Sequence, residues 1–366
     1  AGATLVVIDP RRTALARQAD LHLAPRPGTD LPLALAMIQS LFARGAADEA
    51  FLAEHCHADQ VARLRERAAP WTLARAAETA GVPEADLERL VTLYAETRPA
   101  LIRCGWGLER NRNGGSAVAA VLALPAVAGH FGVRGGGYTL SNSGAWDLNG
   151  AAAIAAPEAP TRLINMNETG RALTASEGTA SGGTASGGTA SGGTASGGAP
   201  ISLVFSYDAN PLATFPDQER VRQGLLREDL FTCVFEQVFT DTARYADLLL
   251  PATTFLEHDE LRRSYGALIC MRSRPVIPPQ GEARSNLAVF AELLERLGLS
   301  EPSDPTSPEE LIEVLLGPER AARLEAEGSL TPSCGAHPIQ MVDVRPKTRD
   351  GKIQLLPPEL EAEAPG

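Results

Sequence analysis

Short apolar strands alternate with amphipathic helices along most of this 366-residue chain. Apolar runs that end in Asp, Asn, Pro or Gly are typical of strands, and apolar residues spaced three and four apart predict helices between them. The predicted strands are TLVVI, ADLHLAP, ALIRCGWG, ISLVFSYD, LFTCVFEQ and DLLLP, and the predicted helices span residues 13–19, 31–45, 48–66, 83–96, 114–132, 217–227, 241–246, 286–297 and 307–327. This order predicts an α/β fold with two doubly wound, Rossmann-like blocks of mainly parallel strands.

A low-complexity tract separates the two predicted blocks, because GTASG occurs four times between Gly178 and Gly197. Such a composition buries too little apolar surface to offset its chain entropy, so residues 174–199 are predicted to form a flexible linker, whether natural or engineered. The first block is predicted to span residues 1–165, and the second, a partial domain, residues 200–345. Residues 346–366 are rich in Pro and Glu, and we expect them to be frayed and to begin a further domain.

Charge and cysteine content exclude several classes of protein. A net charge of -12 argues against nonspecific nucleic-acid binding, which needs clustered Lys and Arg. A membrane-spanning helix needs about 18 consecutive apolar residues, and the sequence has no such run. The five cysteines are scattered without CxxC spacing, which fits a reducing compartment and leaves no local iron–sulfur or zinc motif. The start, AGATLVV, is typical of the interior of a longer protein, so the localisation stays open.

Two clusters that contain histidine suggest metal sites, and the sequence argues against both. The segment Glu257–Asp259 follows a strand, where adjacent side chains point to opposite faces. The segment His55–His57 lies at a predicted helix end, with no second cluster to complete four ligands. We therefore expect no metal ligand in this chain.

Four motifs in order resemble those of one enzyme family. They are VVIDPRRT with RPGTD, then ANPLATFPD, then VFTDTARYADLLLPATTFLEHDE, then DGKIQLLP. The chain resembles the central portion of the molybdopterin-dependent oxidoreductases of the DMSO reductase superfamily. The resemblance implies bis-molybdopterin guanine dinucleotide holding molybdenum or tungsten, with one dinucleotide for each block. It also implies a 4Fe-4S cluster and the protein ligand of the metal in a domain upstream, and a β-rich domain downstream.

The first block carries candidates at its first strand end. Asp9 follows the strand TLVVI, and ligands of open α/β sheets bind beyond such ends. Arg11 and Arg12 can donate to a diphosphate in pairs, although a solvated surface turn has the same sequence. Gly28 permits a tight turn, and Asp30 either caps the next helix or, by the resemblance, helps to hold a guanosine.

The first block carries further candidates in two later loops. Trp106 lies between two glycines, with Arg110 after it, and it either touches a pterin or is buried in a core. Ser141 and Asn142 occupy a loop that lies near the metal in the family, so they either line a substrate pocket or make ordinary loop hydrogen bonds. Some formate-oxidising members carry an arginine in that loop, and its absence here argues against formate chemistry.

The second block carries four candidates. Asn210 ends the strand ISLVFS and can both donate to and accept from a pterin or guanine, although Asn-Pro is also a common turn. By the resemblance, Glu236 binds the second guanine, His258 contacts a phosphate, and Asn286 stands where relatives often have Asp. Asp217 is predicted to cap the following helix.

The resemblance implies two-electron transfer of an oxygen atom or a hydride in the full-length protein, with a small-molecule substrate. It leaves open whether an electron-transfer subunit takes part. This chain alone is expected to be inactive, because the metal ligand would lie upstream. Two alternatives stay open. One is a noncatalytic α/β scaffold or binding module derived from such an enzyme. The other is an NAD-dependent dehydrogenase, which the missing GxGxxG after Val7 disfavours.

Overall fold

The computed structural model describes residues 2–153, 161–175, 200–264 and 266–363, and these form two compact units. The first unit contains the described residues up to Asn142 and those from Cys334 onward. The second unit contains the described residues from Ser143 to Ser333. The GTASG repeats lie outside the described residues. No described helix combines the length and apolar character needed to cross a membrane.

The first unit surrounds its short parallel strands with helices. Strand β1 pairs in parallel with β2, and β3 pairs in parallel with β4. The elements are β1 (Val6–Ile8), β2 (Leu21–Leu23), α1 (Asp30–Ala43), α2 (Glu49–His55), α3 (Ala58–Ala68), α4 (Leu73–Ala80), α5 (Glu84–Glu96), β3 (Leu101–Arg103), α6 (Gly114–Val127) and β4 (Gly137–Thr139), with 3-10 turns at Ala16–Gln18 and Leu108–Arg110.

Helix α1 lies at the centre of the first core. Its residues Leu33, Ile38 and Leu41 are fully buried, and it packs against α3, α4, α5 and α6. The single helix predicted over residues 48–66 is wrong, because Cys56 adopts an extended conformation and separates α2 from α3. Helix α4 was not predicted from the sequence; it is short and buries only alanines, namely Ala76, Ala77 and Ala80.

Residues 350–361 return to the first unit and pack on it. Ile353 donates its backbone N–H to the carbonyl oxygen of His55 at 2.8 Å, and Leu355 is only 2% exposed. This differs from the frayed segment that composition suggests, because the leucines of DGKIQLLP pack into the hydrophobic core of the first unit. The last helix is α14 (Pro358–Glu363).

The second unit combines a parallel sheet with an antiparallel one. The parallel sheet has the order β5-β6-β7 and the antiparallel sheet the order β10-β9-β8. The elements are α7 (Gly150–Ala153), α8 (Thr169–Thr174), β5 (Leu203–Tyr207), α9 (Pro211–Thr214), α10 (Gln218–Leu225), β6 (Phe231–Glu236), β7 (Leu248–Pro251), β8 (Glu260–Arg263), β9 (Cys270–Ser273), α11 (Asn286–Leu297), α12 (Pro308–Leu316), α13 (Pro318–Glu327) and β10 (Ser329–Leu330), with 3-10 turns at Ser143–Trp146, Met166–Glu168 and Thr242–Tyr245.

The second unit departs from the sequence expectation at three places. The helix predicted over residues 307–327 is two helices, because Gly317 has a φ of 78° and Pro318 starts α13. The helix predicted over residues 241–246 is only a 3-10 turn. The antiparallel sheet was not predicted, since its short strands carry no continuous apolar run. The mixed α/β class with parallel sheets is confirmed.

Candidate functional site

The three parallel strands of the second unit end side by side. Tyr207 is in register with Phe235, and Phe235 is in register with Leu250. The loops that follow β5, β6 and β7 therefore leave the same edge of the sheet, where open α/β sheets bind ligands. Asn210, Glu236 and His258 lie in or at the start of these three connections.

The Asn210 side chain joins two of these loops and has little capacity left for a ligand. Its Oδ1 accepts from the backbone N–H of Thr242 at 3.1 Å and from the Thr242 hydroxyl at 2.8 Å. Its Nδ2 donates to Asp241 at 3.3 Å. Because these bonds occupy the amide oxygen, the expectation that Asn210 both donates to and accepts from a cofactor needs correction. Its observed contribution is to hold the β5 and β6 loops together.

Asp217 starts α10 as predicted. Its side chain accepts from the backbone N–H of Arg220, and its φ of 58° is left-handed. A carboxylate at this position satisfies one of the unpaired donors of the helix start.

Asn286 is tied to an aromatic residue at the end of β5. Its Nδ2 donates to the Tyr207 hydroxyl at 2.8 Å. The Tyr207 ring stacks beside Phe235, with centroids 5.8 Å apart, and meets Phe290 of α11 edge to face. Tyr207 remains 42% exposed, although partial burial raises the pKa of its hydroxyl. The edge of the sheet therefore carries a partly open aromatic ring fixed by a hydrogen bond.

Glu236 is the last residue of β6 and is partly exposed. Its Oε1 accepts from the backbone N–H of Gln237 at 2.7 Å. The Gln237 side chain donates in turn to the carbonyl oxygen of Thr253 at 3.2 Å. Oε2 of Glu236 has no hydrogen-bond or ion-pair partner within the part of the chain that the structure describes. A carboxylate oxygen at a strand end is thus available to a donor.

The residues Glu257, His258 and Asp259 have three separate sets of partners. His258 Nδ1 is 2.9 Å from the hydroxyl of Thr253, and its Nε2 is 3.7 Å from Glu260. Glu257 accepts from the backbone and hydroxyl of Thr254 and from the backbone of Gln280, and Asp259 accepts from Arg272. The three side chains therefore point to different partners, as expected for adjacent residues after a strand. Among the described residues, no three His, Cys, Asp or Glu side chains come together in a way that could hold a metal ion.

The protonation of the Glu257 carboxylate is expected to make the stability of the second unit depend on pH. Hydrogen bonds from Thr254, and then from Gln280, lower the pKa of Glu257 below its usual 4.5. A carboxyl group with a lower pKa in the folded state stabilises the fold above about pH 4.5, and this contribution is lost as the pH falls through the folded-state pKa. We expect Glu257→Gln to be less stable than the parent at pH 7 and to lose less stability between pH 5 and 3, as measured by urea unfolding at each pH. An unchanged acid dependence would contradict this.

The first unit presents Asp9 at the end of β1. Asp9 Oδ1 accepts from the backbone N–H of Arg11 at 2.7 Å, and the Asp9 carbonyl oxygen lies 2.9 Å from His22 Nε2. Arg11 and Arg12 are exposed. The carboxylate therefore shapes the turn, while both guanidinium groups extend toward solvent. This arrangement is compatible with the surface turn and with a diphosphate ligand.

Gly28 lies against a loop that the motif search did not single out. Its φ is 83°, and a Cβ there would stand 3.5 Å from Asn111 Oδ1. The Asn113 side chain donates to the Gly28 carbonyl oxygen at 3.2 Å. Asp30 is the first residue of α1, with Thr29 as the N-cap residue, so the prediction that Asp30 caps the helix is wrong. Burial raises the pKa of the Asp30 carboxyl.

Trp106 is 51% exposed, so the interpretation as a buried core residue is wrong. A Cβ at Gly105 or Gly107 would meet no atom within 4 Å, which leaves open space on both sides of the ring's attachment. Arg110 is exposed at the end of the 3-10 turn that follows. The chain therefore displays an aromatic ring and a guanidinium group within one loop.

Ser141 and Asn142 follow β4. The Arg103 guanidinium at the end of β3 donates to the carbonyl oxygen of Leu140, which orients the start of this loop. Both side chains have polar or electrostatic partners of their own. The structure is therefore compatible with ordinary loop hydrogen bonding for both residues, and their role in a substrate pocket stays a prediction.

The residues of His55–His57 also have separate surroundings. His55 packs against Phe51 with ring centroids 4.5 Å apart, and His57 Nε2 is 3.0 Å from Asp350. Cys56 is buried, and burial raises the pKa of its thiol to about 11. A thiol that stays protonated near neutral pH is a poor metal ligand or nucleophile.

The sequence motifs do not identify several residues at the two strand edges. Asn111 and Asn113 lie in NRNGG, a sequence typical of an ordinary loop. The threonines are buried, and no sequence pattern indicates that their hydroxyl groups hold neighbouring loops. A search for polar residues that follow a strand and precede a helix could have found the asparagines. The missed residues are Tyr207, Thr242, Thr253, Asn111 and Asn113.

Known proteins match most of the chain. The model of the family "Molybdopterin oxidoreductase" matches residues 1–296. The chain is 36% identical over 315 residues to the probable oxidoreductase YoaE of Bacillus subtilis (strain 168), covering 85% of the chain and 43% of that protein. It is 28% identical to the acetylene hydratase of Syntrophotalea acetylenica, covering 82% of the chain and 43% of that protein.

A solved structure has the same fold. The acetylene hydratase from Pelobacter acetylenicus matches with a TM-score of 0.75 and 22% sequence identity. The match covers 99% of the chain and 52% of that structure. The chain thus spans about half the length, or less, of the proteins that it resembles.

Proposed function

The chain belongs to the molybdopterin oxidoreductase family, and from this membership we propose that it is the central portion of a molybdenum or tungsten enzyme whose two units each bind one molybdopterin guanine dinucleotide. The observation that carries the proposal is the pair of polar edges at the carboxyl ends of parallel strands, one in each unit. Such edges are where α/β sheets bind nucleotides.

The residues of the second unit fit a guanine nucleotide. Guanine N1 and N2 both donate, and Glu236 offers a carboxylate oxygen at the end of β6. His258, oriented by the Thr253 hydroxyl, can donate from Nε2 to a phosphate oxygen. Asn286 and Tyr207 supply a polar and aromatic boundary to the same edge. We assign the base to Glu236 and a phosphate to His258.

The residues of the first unit fit the second dinucleotide. Asp30 has a partly buried carboxyl group whose raised pKa shows that its charged form lacks the solvation of water. Donors from a guanine would relieve that cost. Arg11 and Arg12 suit the diphosphate, and Trp106 with Arg110 suits the pterin. Gly28 allows the backbone to approach the ligand closely.

When bound, the cofactor would supply two-electron oxygen-atom or hydride transfer at the metal. The contribution of this chain is to bind and orient the dinucleotides and to set their electrostatic surroundings. We propose that the metal ligand, a 4Fe-4S cluster and any electron-transfer partner involve residues outside this chain. The substrate is a small molecule, and Ser141 and Asn142 are the candidates of this chain for contacting it.

The cofactor assignment is tested on the full-length natural protein. We expect about two guanine nucleotides per molybdenum or tungsten, by elemental analysis and nucleotide release from the denatured protein. A folded protein without metal and nucleotide would contradict the enzyme and favour the alternative, a noncatalytic scaffold derived from the family. Pyrophosphate-linked adenine in place of guanine would favour the NAD-dependent alternative.

The assignment of Glu236 is tested by Glu236→Gln. Hydrogen bonds to charged groups contribute about 1.5–3 kcal/mol, so the rate of guanine loss on mild heating should rise about 10- to 100-fold. Gln can still accept from the backbone of residue 237, so the fold should persist. The matched control is Glu228→Gln, because Glu228 is exposed and precedes β6, away from the carboxyl ends of the parallel strands. Equal rates for both variants would contradict the role of Glu236.

A further inference from the structure

Residues 350–361, which we call the strap, bind three helices of the first unit. Leu355 and Leu356 donate their backbone N–H groups to Gln60 Oε1 at 2.8 and 3.3 Å. Lys352 Nζ donates to the carbonyl oxygen of Cys56 at 3.2 Å. His57 Nε2 lies 3.0 Å from the Asp350 carboxylate, and ion pairs join Arg63 and Arg67 to Glu361. The strap is therefore fixed to α2 and α3 by backbone, side-chain and charge contacts.

The end of the strap also reaches the first turn of α6. A Cβ built on Gly115 would stand 2.6 Å from Leu360 Cδ2, so the leucine occupies the place where another residue would have its side chain. A Cβ at this position would force the Leu360 side chain to shift, so the observed seating of Leu360 needs glycine at position 115. Leu360 thus contacts the backbone of α6 directly, at its second residue.

The neighbouring glycine transmits this contact to the Trp106 loop, residues 105–113. A Cβ on Gly114 would be 2.5 Å from Glu109 Cα and 2.7 Å from the Leu108 carbonyl oxygen. These are backbone atoms, which cannot turn aside as a side chain can. The first turn of α6 and the 3-10 turn Leu108–Arg110 are therefore in backbone contact and must move together.

The same loop reaches the Gly28 turn. Asn113, the N-cap residue of α6, donates to the Gly28 carbonyl oxygen. One continuous set of contacts thus runs from Leu360 through Gly115 and Gly114 to the loop, and from the loop to Gly28. Every member lies in the first unit.

We propose that Leu360, seated on Gly115, is a positioning residue that holds the Trp106 loop and the Gly28 turn in the arrangement that binds the dinucleotide. This deepens the proposed function and rests on it for the identity of the ligand. The two segments that meet in this contact are far apart in the sequence. They are NGG at residues 113–115 and PPEL at residues 357–360. Through Leu360, the strap is thus in contact with the loops that form the proposed ligand-binding edge of the first unit.

The test is hydrogen exchange of the full-length protein, followed by mass spectrometry. Leu360→Ala removes the support, so amide exchange in residues 105–113 should rise at least about tenfold while exchange in the core helix α1 is unchanged. The double variant Gly115→Ala with Leu360→Ala puts a methyl group back into the vacated space. We expect it to restore loop exchange to within about threefold of the parent protein.

Leu356→Ala is the matched control, because Leu356 packs on the helical core of the first unit instead of on Gly115. Leu356→Ala should leave the ratio of the amide exchange rate in residues 105–113 to that in α1 unchanged. Unchanged loop exchange in Leu360→Ala, or a double variant no better than Leu360→Ala, would overturn the proposal. A general loss of stability would raise exchange in α1 equally, and this too would overturn it.

Guanine release, measured on the same samples, separates the two proposals. We expect Leu360→Ala to lose guanine several-fold faster than the parent and the double variant to recover. Loop exchange that responds as expected without any change in guanine release would support the positioning role and contradict the ligand assigned to the loop.

Discussion

Replacing Arg272 by Met is expected to lower the free energy of unfolding of the second unit by about 3–5 kcal/mol, because the change strands a buried carboxylate. Arg272 and Asp259 are only 12% and 11% exposed. Arg272 Nε donates to both carboxylate oxygens of Asp259, at 2.8 and 2.9 Å. The same guanidinium also contacts Glu309 and Glu325, which are well exposed and can turn to water. The cost of the substitution therefore falls mainly on Asp259.

Arg274→Met is the matched control. Arg274 lies two residues further along the chain and pairs with Glu325, but both side chains are more than half exposed. Exposed ion pairs contribute about 0–1 kcal/mol, so the control should be nearly neutral. Equal destabilisation by the two substitutions would show that the burial of the Asp259 pair has no special importance.

The fluorescence of Trp146 reports on the unfolding of this region, because Trp146 packs with Cys270 and Leu324 in one buried cluster. Urea unfolding followed by this fluorescence, in proteins that also carry Trp71→Phe and Trp106→Phe, measures the stability of both variants.

Of the described parallel strands, all except β4 could be predicted from sequence, because each is a short, apolar run that ends in a turn. Strand β4 (Gly137–Thr139) was not predicted, since it lies in a glycine-rich polar segment. LFTCVFEQ and DLLLP became β6 and β7 with their carboxyl ends in register. The antiparallel strands could not be predicted, since the hairpin of β8 and β9 carries arginines that are neutralised only in the folded unit. Pairing between distant segments, such as Ser329 with Met271, leaves no local pattern.

The sequence could predict at which strand ends the candidate residues lie, but not which hydrogen bonds their side chains make. Glu236 lies at the end of β6, as the sequence predicts, and its role in binding a guanine stays a prediction. Asn210 shows the limit, because the sequence cannot reveal that Thr242 occupies its amide oxygen. Trp106 is a second example, because the glycines on both sides of it are compatible with a buried and with an exposed ring. Only the structure shows that the ring is exposed. The hydrogen-bond partners of a side chain depend on which distant residues the fold brings near it, so they cannot be predicted from the local sequence.

Thr242→Val is expected to destabilise the parallel sheet of the second unit by about 2–3 kcal/mol, because it removes a hydroxyl that both donates and accepts. Thr242 is completely buried. Its Oγ1 donates to Asn210 at 2.8 Å and accepts from the backbone N–H of Leu212 at 3.1 Å. Valine has the same shape, so the loss isolates the hydrogen bonds from the packing. The Leu212 N–H would be left without its acceptor.

Thr232→Val makes the same chemical change at equal burial but is not expected to destabilise the sheet. Thr232 is also completely buried, but its hydroxyl has no hydrogen-bond partner among the described residues. Replacing an unsatisfied buried hydroxyl by a methyl group removes a desolvation cost, so this variant should be neutral or more stable. Native-state hydrogen exchange at the β6 amides of Cys233 and Val234 measures both variants. Equal effects would mean that shape at these positions, and not the bond between Thr242 and Asn210, holds the two loops of the ligand-binding edge together.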